Sequence, residues 1–572
     1  MPQTTLHAFF ETAQRLGPRL AWKHGARQFS WSEAAHIVRR AARAFIALGV
    51  EPGECVSIMG PNRPEWVIAD LAAIAAGAVP APIYPTLTAE QAGYIARHSA
   101  AAVAVVEDRA QLQKLRAQRP ASLRWFVLIS NAPVSGVAPG GPDAPDVLSW
   151  DQFLARSADA PESAVDERLA ALKPRGLATL IYTSGTTGPP KAVMLSHENL
   201  VFAAQAGQRI AQVTADDILI SYLPLSHIAE QMISVHGPAM NGSQIWFCDD
   251  LPKAPEVMRA ARPTIFFGVP RVWEKMQARI EQGLAAAPPL RRALASWARN
   301  SRGRLADKLV LSKIRALLGL DRVRFALTGA AAMSLATLRF FESLGIDILD
   351  LWGLSESTAM GTSNLPGARK AGTIGRPTEG VEIRIAPDGE SLTRGPHVFL
   401  GYSRDEAATR EALDAEGFLH TGDVGEFDDD GYVKITDRKK DLLITSGGKN
   451  VSPQNIEGRL VQIPGVAQAA VLGDARKHLA ALLTPDPDAA RRLPGVNDGT
   501  IASLAVDPAF LAHIGRGVEQ VNAQLASFET IKKFRVLPVQ FSIEGGELTP
   551  TMKLKRKIVS QKFAREIDEL FR

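Results

Sequence analysis

The stretch "WSEAAHIVRRAARAFIALG" (residues 31–49) and the run "CVSIMG" (55–60) that follows it indicate the fold. In the first, apolar residues recur every three to four positions, as on one face of a helix, and the second is a short run of strand-forming residues. The same rhythm returns along the chain in short runs at 102–108, 243–248, 264–268 and 323–328. Such alternation predicts parallel sheets flanked by helices.

A different texture begins near residue 380, where short strands and turns such as "VEIRIAPDGE" (381–390) and "FDDDGYVKI" (427–435) replace the alternation. The aspartates at 428–430 are typical of a hairpin turn, and we assign them no functional role. Beyond roughly residue 437, "GVAQAAVLGD" (465–474) and "FETIKKFRVLP" (528–538) look like strands of a small α/β unit. The sequence therefore predicts a second, smaller module.

Length and composition restrict the class of protein. A chain of 572 residues exceeds what one hydrophobic core usually supports, so we expect two or more domains. Lys and Arg total 65 against 60 Asp and Glu, and the resulting net charge of +5 is too small to indicate nucleic-acid binding by itself. The two cysteines, Cys55 and Cys248, exclude a disulfide framework or a Cys-rich metal site and suit a reducing compartment.

The sequence shows neither a secretory signal nor a membrane span. Its first residues lack a basic segment followed by an apolar core. The most apolar window, residues 67–83, is interrupted by Asp70, Pro80 and Pro82 and is too short to cross a bilayer. We therefore expect a cytoplasmic protein.

The segment "YTSGTTGPPK" (182–191) is the first candidate for a binding site. Glycines let the backbone approach a ligand closely, and adjacent N–H groups in a turn form a concavity that suits a phosphate. It is not a Walker loop, because Gly185 and Gly188 are three residues apart and two prolines precede Lys191. The alternative is a Gly/Thr-rich surface turn.

Seven further segments accompany this loop, and together they carry a family resemblance. They are "LPLSHIAEQ" (223–231), "FFGVPRVWEKM" (266–276), "LTGAAAM" (327–333), "DLWGLSEST" (350–358), "HTGDVGEFDDDGY" (420–432), "TDRKKDLLITSGGKNVSP" (436–453) and "LTPTMKLKRK" (548–557). In this order and spacing the chain resembles the acyl-adenylate-forming (ANL) superfamily, specifically its long-chain fatty acyl-CoA synthetase branch. The likeness runs from residue 79 to Lys553.

The resemblance implies an α/β fold with two domains. The large N-terminal domain, 1–436, would combine parallel α/β sheets with a distorted β-barrel and hold the nucleotide and the acyl group. The small, mobile α+β C-terminal domain, 437–572, would carry the catalytic lysine, with Asp437 as the hinge. The implied substrates and cofactors are a fatty acid, ATP, Mg²⁺ and coenzyme A.

The resemblance also assigns the phosphate and metal contacts. Lys191 and Glu356 would act as catalytic groups beside the phosphates, and Thr183 and Glu356 would hold Mg²⁺, which prefers such oxygen ligands. The phosphate loop would comprise Thr183, Ser184, Gly185, Thr186, Thr187 and Gly188. For Glu356 the alternative is a solvated surface acid.

The adenosine contacts follow from three further motifs. In this interpretation Trp352 lies on the adenine face, Asp423 accepts from both ribose hydroxyls, Arg438 contacts the ribose and Lys440 lies near the phosphates. The other expected nucleotide-binding residues are Gly329, Ala330, Ala331, Asp350, Leu351, Gly353 and Ser355. Trp352 stands where tyrosine is common in the family, and Ser355 where threonine is common. The alternatives are a core tryptophan, a tight βα connection at 329–331 and solvated charges at the linker.

Several lysines compete for one catalytic position near the C-terminus. Aligning "PTMKLKR" to the family's final motif places Lys553 on the catalytic residue, with Lys555 and Lys557 as fallbacks and a basic solvated tail as the alternative. One ammonium between a carboxylate and the α-phosphate offsets their repulsion during adenylation.

The acyl and CoA contacts rest on the long-chain branch. The resemblance places His227 near the acyl entrance, although a core or helix-capping histidine is the alternative, and it places Gly447 and Gly448 beside the pantetheine arm of CoA. Residues 291–316 hold eight Lys or Arg against Asp307, interspersed with apolar residues. Our hypothesis is peripheral contact of this segment with anionic lipid at the inner face of the membrane; a solvated helical face is the more common structure.

The implied activity is that of a long-chain fatty acid–CoA ligase (AMP-forming). The acid's carboxylate attacks the α-phosphorus of ATP to give acyl-AMP and pyrophosphate, and after a rotation of the small domain the CoA thiolate displaces AMP. The alternatives are an acyl-AMP ligase that transfers the acyl group to a carrier protein, a luciferase-like oxidation of the adenylate, and a catalytically silent binding protein. Dimers occur among similar proteins, so a homodimer is also expected.

Overall fold

The computed structural model describes residues 3–130, 146–183, 189–301, 303–439, 442–446, 449–496, 499–549 and 553–572. The chain is a mixed α/β protein, as the alternation of helical and strand patterns predicts. Helix Trp31–Ala47 and strand Cys55–Met59 occupy the two runs that indicate this class. The helix begins with a capping box, in which Ser30 accepts from the Glu33 amide and the Glu33 carboxylate accepts from the Ser30 amide.

The first sheet has five strands, all parallel to their neighbours. In spatial order they are Val79–Pro82, Cys55–Met59, Ala101–Val106, Trp125–Leu128 and Val147–Ser149. Every residue of Cys55–Met59 and Ala101–Val106 is buried, which is why these strands are almost entirely apolar rather than alternating; Ser57 is the one polar residue in them. Helix Pro64–Ala75 beside them is also buried along its whole length. The most apolar window of the sequence is therefore the end of a core helix and the strand after it.

Two further sheets are mixed, each with three parallel strands followed by antiparallel pairing at one edge. One contains Ile218–Ser221, Gln244–Phe247, Leu20–His24 and Arg27–Ser30, and the other contains Ile265–Phe267, Phe325–Thr328, Ile348–Trp352, Thr362–Ser363 and Arg376–Pro377. In the second of these the first three strands are parallel, so their carboxyl ends meet at one edge. In open α/β sheets this edge is where ligands bind.

The region expected to form a distorted barrel consists of two antiparallel sheets. One has the order Glu382–Ile385, Glu390–Arg394, Leu419–Phe427 and Val433–Arg438, and the other the order Gly401–Tyr402, Lys191–Ser196 and Leu177–Thr183. Among the described strands, those of one sheet are not paired with those of the other. Residues 428–432 form the predicted hairpin turn, where Lys370 pairs with Asp428 and Asp430 at 2.6 and 2.7 Å.

Helices cover the sheets of this large N-terminal part. The α-helices are Thr5–Leu16, Trp31–Ala47, Pro64–Ala75, Ala89–His98, Arg109–Arg116, Trp150–Ala155, Ser163–Ala171, His197–Ala211, Ile228–Gln231, Gly237–Asn241, Ala254–Ala261, Pro270–Ala285, Pro289–Ser301, Arg304–Ala306, Ser312–Leu318, Leu335–Ser343 and Glu406–Ala412. Short 3₁₀ turns lie at Arg156–Asp159, Leu251–Lys253 and Ser355–Ser357, and π-helical turns at Met232–His236 and Asp307–Leu311. In the described part of the chain, no helix is both long and apolar enough to cross a membrane.

The C-terminal part builds a core of its own. Its strands are Leu443–Ile444, Asn450–Val451, Val466–Leu472, Leu479–Pro485 and Ile531–Val536, and its helices are Pro453–Leu460, Pro487–Ala490, Ile501–Leu504, Pro508–Asn522, Arg556–Lys562 and Ala564–Phe571, with a 3₁₀ turn at Ser527–Glu529. The two hydrophobic clusters that line its sheet contain only residues from 443 onwards. This part is therefore the small α+β module that the sequence predicts.

Candidate active site

Two strands paired as a β-hairpin flank the phosphate-loop candidate. Strands Leu177–Thr183 and Lys191–Ser196 are antiparallel, and Thr183 stands directly opposite Lys191 in their register. Thr183, which is assigned to the metal, and Lys191, which is assigned to the phosphates, are therefore neighbours. The calls on Ser184, Gly185, Thr186, Thr187 and Gly188 lie outside the described residues.

Glu356 is connected to this hairpin through Tyr402. The Tyr402 hydroxyl donates to Glu356 Oε1 at 2.8 Å, and the Nζ atom of Lys191 lies 4.8 Å from the centroid of the Tyr402 ring. Burial and the negative charge of Glu356 raise the pKa of Tyr402 above its ordinary value, so the phenol stays protonated and donates. The structure thus brings Lys191 and Glu356 to one site on either side of a tyrosine.

Local backbone structure holds Glu356 and Tyr402 in place. Glu356 lies in the 3₁₀ turn Ser355–Ser357, and its carbonyl accepts from the Phe399 amide at 2.8 Å. Tyr402 follows on the strand that pairs with Lys191–Ser196, and its amide donates to Thr409 Oγ1 at 2.8 Å. Sequence reasoning missed Tyr402, because no local pattern marks a hydroxyl that bonds a residue 46 positions away.

Two unsatisfied polar atoms lie side by side at the carboxyl ends of the parallel strands. Thr328 and Asp350 are register partners, and Thr328 Oγ1 and Asp350 Oδ2 are both buried without a hydrogen-bond partner among the described residues. Burial raises the pKa of Asp350 to about 7, against the opposing positive charge of Arg369. Buried polar groups normally have partners, so this pair fits a ligand that brings donors of its own.

The turn after Thr328 is closely packed, as its small residues predict. A Cβ atom on Gly329 would lie 2.9 Å from the carbonyl oxygen of Leu351, and Ala330 adopts a positive φ of 68°. Gly353 is packed as tightly, since a Cβ there would lie 2.4 Å from the backbone of Ala359. Ala331 is exposed beside this turn, and Ser355 begins the 3₁₀ turn of Glu356.

Trp352, Asp423 and Arg438 form one hydrogen-bonded group. Trp352 Nε1 donates to Asp423 Oδ2 at 2.8 Å, and Arg438 Nε lies 3.2 Å from Asp423 Oδ1. Asp423 and Arg438 face each other across the strands Leu419–Phe427 and Val433–Arg438. The structure therefore brings together the three residues expected around adenine and ribose, from segments far apart in sequence.

The hinge candidate lies at the end of the same strand. Asp437 is the penultimate residue of Val433–Arg438 and pairs with Val424, and its Oδ1 accepts from the Arg438 amide at 2.6 Å. The calls on Lys440, Gly447 and Gly448 fall outside the part of the chain that the structure describes.

His227 caps a helix, which is the alternative that the sequence leaves open beside a role at the acyl entrance. Its Nδ1 accepts from the Ala229 amide at 3.2 Å at the start of Ile228–Gln231. Burial, and in second place the positive charge of Lys553, lower the pKa of His227 to about 4. The imidazole is therefore neutral at physiological pH, and Lys553 of the C-terminal part lies close enough to act on it.

The backbone of Lys553 is hydrogen-bonded to Thr549. Its amide donates to Thr549 Oγ1 at 3.0 Å, and its carbonyl accepts from the Thr549 amide at 2.8 Å. The fallback residues belong to the next element, because Lys555 is the N-cap of helix Arg556–Lys562 and Lys557 lies exposed within it. Lys553 is thus the candidate lysine whose charge is felt at His227.

A buried carboxyl group lies one helical turn beyond His227. Glu230 Oε1 accepts from Ser221 Oγ at 2.7 Å and from Ser234 Oγ at 2.6 Å, with Asn62 Nδ2 at 3.4 Å. Burial raises the pKa of Glu230 to about 8. The segment between His227 and the π-helical turn Met232–His236 is therefore anchored by a polar network. Sequence reasoning gave Glu230 no role, although it stands within "LPLSHIAEQ".

The sequence is similar to those of known enzymes over nearly its whole length. The model of the AMP-binding enzyme family matches residues 9–403, and that of the AMP-binding enzyme C-terminal domain matches residues 440–572. The chain is 38% identical to the long-chain-fatty-acid–CoA ligase ACSBG2 of Xenopus laevis, over 100% of this chain and 84% of that protein. It is also 38% identical to the long-chain-fatty-acid–CoA ligase FadD15 of Mycobacterium bovis, over 94% and 92% of the two chains.

A solved structure has the same fold. The A domain of carboxylic acid reductase from Segniliparus rugosus, in complex with AMP and a co-purified carboxylic acid, matches with a TM-score of 0.78. The match covers 99% of this chain and 94% of that one at 21% identity. At this identity the similarity establishes the fold.

Proposed function

Because the chain belongs to the AMP-binding enzyme family, we propose that it is a long-chain fatty acid–CoA ligase. It activates the acid with ATP to acyl-AMP and transfers the acyl group to coenzyme A, releasing pyrophosphate and AMP. The observation that carries the proposal is the group formed by Trp352, Asp423 and Arg438, three residues from distant segments that the structure brings together at one place. A carboxylate held in this way suits the ribose hydroxyls of ATP, the substrate that the activation requires.

The nucleotide contacts extend the proposal to single residues. Asp423 binds the ribose hydroxyls, oriented beforehand by Trp352 and Arg438. The buried oxygens of Thr328 and Asp350 accept donors from the adenine edge, which packs against the turn at 329–331. This arrangement supports an adenosine site, because each orphaned acceptor would gain a partner on binding.

Lys191, Thr183 and Glu356 form the phosphate side of the site. Thr183 and Glu356 would hold Mg²⁺, which would supply positive charge to neutralise the phosphates, a task for which one protein carboxylate and a hydroxyl suffice. The residues fit that role, because the Tyr402 hydroxyl fixes one Glu356 oxygen and Thr183 lies opposite Lys191. Lys191 adds a positive charge beside the loop that would hold the β- and γ-phosphates.

Lys553 serves the first step only. With its ammonium between the acid and the α-phosphate, it lowers the repulsion that opposes attack. In the second step the domain 437–572 turns about Asp437 relative to the domain 1–436, so that Lys553 leaves and the loop at 447–448 faces the pantetheine arm of CoA. The separate hydrophobic clusters of the C-terminal part support such a motion, since neither cluster contains a residue before 443.

The alternative acceptor is the phosphopantetheine of a carrier protein, which would use the same adenylation site. The relatives named as CoA ligases favour coenzyme A. The proposal includes the cytoplasmic location expected from the sequence and a homodimer, since dimers occur among similar proteins. Sedimentation of the purified protein tests the second of these.

A half-reaction assay tests the proposed function. Purified enzyme is given ATP and Mg²⁺ with acids from acetate to arachidate, and thioester is measured with coenzyme A and, separately, with a phosphopantetheinyl carrier protein. We expect pyrophosphate release and acyl-CoA with the long-chain acids. Lys553→Ala should lower adenylation by at least about 10²-fold while still converting supplied acyl-AMP to acyl-CoA. Absence of pyrophosphate with every acid would refute the proposal.

A further inference from the structure

The helices after the acyl-entrance region expose an unusual amount of apolar surface. Six of the fourteen exposed large hydrophobic side chains found among the described residues lie within residues 290–317. They are Leu290, Leu294, Trp297, Leu305, Leu309 and Leu317, which are between 43% and 82% exposed. Single exposed leucines are ordinary, but a cluster of this density marks a surface that meets something apolar.

The exposed apolar residues occupy the solvent side of their helices. Helix Pro289–Ser301 turns Ala295 and Ala298 to the core. Its outer side carries Leu290, Leu294 and Trp297 at i, i+4 and i+7, which is the spacing of one continuous stripe. The helix thus has an apolar stripe that the fold itself does not cover.

The second part of this surface combines leucines with lysines. Along 304–318, Leu305, Leu309 and Leu317 are exposed together with Lys308 and Lys313. The charge of the whole segment is strongly positive, and its acid Asp307 already pairs with Arg315 at 2.7 Å. A surface of leucine and tryptophan bordered by cations matches the interface of an anionic bilayer.

A cavity lined by two arginines lies on the side of helix Pro289–Ser301 that faces away from the stripe. Arg292 and Arg299 line a cavity of about 380 Å³ together with Ser296, Asn300 and Ser343. Arg299 is fixed there, because its Nε donates to Ser343 Oγ at 2.9 Å and its guanidinium lies 4.6 Å from the Phe340 ring centroid. Because it lies on the far side of the helix from the stripe, this cavity takes no part in the docking surface.

The same helices are packed onto the region next to His227. Ala298, Ala306 and Leu311 belong to the hydrophobic cluster that contains Phe266 and Trp273. An aromatic series leads onward, with Tyr222 stacked on Phe266 at 5.8 Å and Phe266 against Trp273 at 5.1 Å. Tyr222 stands five residues before His227, so the exposed surface and the acyl entrance belong to one packed unit.

We propose that the solvent side of residues 289–318 docks this enzyme on an anionic phospholipid bilayer, with Leu290, Leu294 and Trp297 inserted at the headgroup boundary. The inference rests on the proposed function, because a long-chain acid dissolves in the bilayer and a docked enzyme can take it from there. Binding requires both parts of the surface, since apolar insertion and electrostatic attraction add.

Vesicle flotation of the full-length protein tests the docking. We expect binding to phosphatidylglycerol-containing vesicles and at least about tenfold weaker binding to pure phosphatidylcholine vesicles, because several cations near the surface contribute about 1 kcal/mol each. The variant Leu290→Ser/Leu294→Ser/Trp297→Ser should lose binding to both. Its matched control, Leu251→Ser/Val506→Ser/Phe528→Ser, removes equally exposed side chains elsewhere and should bind like wild type.

Two further measurements separate the remaining outcomes. The tryptophan fluorescence of wild type should shift to the blue on vesicles, and this shift should be absent in Trp297→Phe. The variant Lys308→Glu/Lys313→Glu should bind vesicles more weakly than wild type. Its control, Lys532→Glu/Lys533→Glu, reverses another exposed pair of lysines and should bind like wild type. Equal binding by the triple variant and wild type would overturn the proposal. A second result would also overturn it: wild type does not bind vesicles but forms a concentration-dependent dimer, and the triple variant does not form this dimer. The apolar surface would then be covered by a second copy of the chain.

An activity control keeps the two proposals apart. All these variants should convert a water-soluble medium-chain acid at the wild-type rate in the absence of vesicles, since none alters the nucleotide site. Activity without vesicle binding would leave the ligase assignment standing and refute the docking. Vesicle binding without activity on any acid would support the docking and refute the ligase assignment.

Discussion

The indole Nε1 of Trp352 donates a 2.8 Å hydrogen bond to Oδ2 of Asp423, 71 residues further along the chain. The other oxygen of this carboxylate faces Arg438 at 3.2 Å. Asp423 is thus held from two sides in a site that is expected to recognise ribose. Its orientation is set before any ligand arrives, which lowers the entropy cost of binding.

Removing the indole donor should weaken nucleotide binding. Trp352→Phe retains an aromatic face but removes the hydrogen bond that the indole donates to Asp423, and hydrogen bonds to charged groups are worth about 1.5–3 kcal/mol. We expect the Kd for ATP to rise by about tenfold or more. Calorimetric titration of wild type, Trp352→Phe, Asp423→Asn and the double variant gives the coupling directly. Additive losses would show that the hydrogen bond has no role in binding.

The tyrosine between Lys191 and Glu356 should affect the metal dependence. Tyr402→Phe keeps the ring beside Lys191 but frees Glu356 Oε1, so the Mg²⁺ concentration for half-maximal adenylation should change by about 3- to 10-fold, the cost of one ordinary hydrogen bond. Tyr432→Phe is the matched control, because its hydroxyl also donates a 2.8 Å bond, to the Ala368 carbonyl. The same shift in both variants would contradict a role for Tyr402 at the metal.

The close approach at Gly329 should make even one methyl group costly. In Gly329→Ala the new Cβ would lie 2.9 Å from the Leu351 carbonyl oxygen, so the strand end beside the adenine turn must move. We expect about tenfold weaker binding of AMP, a loss of about 1.4 kcal/mol. Gly207→Ala, in helix His197–Ala211 with open space around it, should keep binding unchanged and stabilise the protein slightly. Unchanged AMP affinity in Gly329→Ala would argue against adenine at this turn.

The buried carboxyl group of Glu230 should make stability depend on pH. Its pKa in the folded protein is about 8 against an ordinary 4.5, so between these values the folded state keeps a proton that the unfolded chain has lost. The contribution is complete below about pH 4.5 and disappears as the pH rises towards 8. The free energy of unfolding should therefore fall with pH by up to about 1.4 kcal/mol per unit in this window.

Glu230→Gln isolates that contribution, since an amide oxygen can still accept from Ser221 and Ser234 but does not ionise. Buried Asp70 and Asp350, whose pKa values are each raised to about 7, act in the same direction in both proteins. The relevant quantity is thus the difference between wild type and variant in denaturant unfolding from pH 5 to pH 8. Parallel pH profiles would mean that Glu230 is ionised in the folded protein.

Much of the molecule could be predicted from local patterns. The alternation at 31–60 predicted parallel sheets because hydrophobic periodicity is a property of a short window. The aspartates at 428–430 were recognised as a hairpin turn for the same reason, and the structure confirms it. Tyr402 and Glu230 escaped because each acts through partners that no local spacing indicates.

The sequence by itself determined the α/β class, the small C-terminal module and the segments that carry the chemistry, since these depend on residue types and spacing within each segment. Only the tertiary structure decided that Asp423 is shared by Trp352 and Arg438, that Tyr402 lies between Lys191 and Glu356, and that an apolar stripe at 290–297 faces outward. The physical reason is that hydrogen-bond partners, electrostatic range and exposure depend on distances between elements. Those distances arise when separate segments pack into one core.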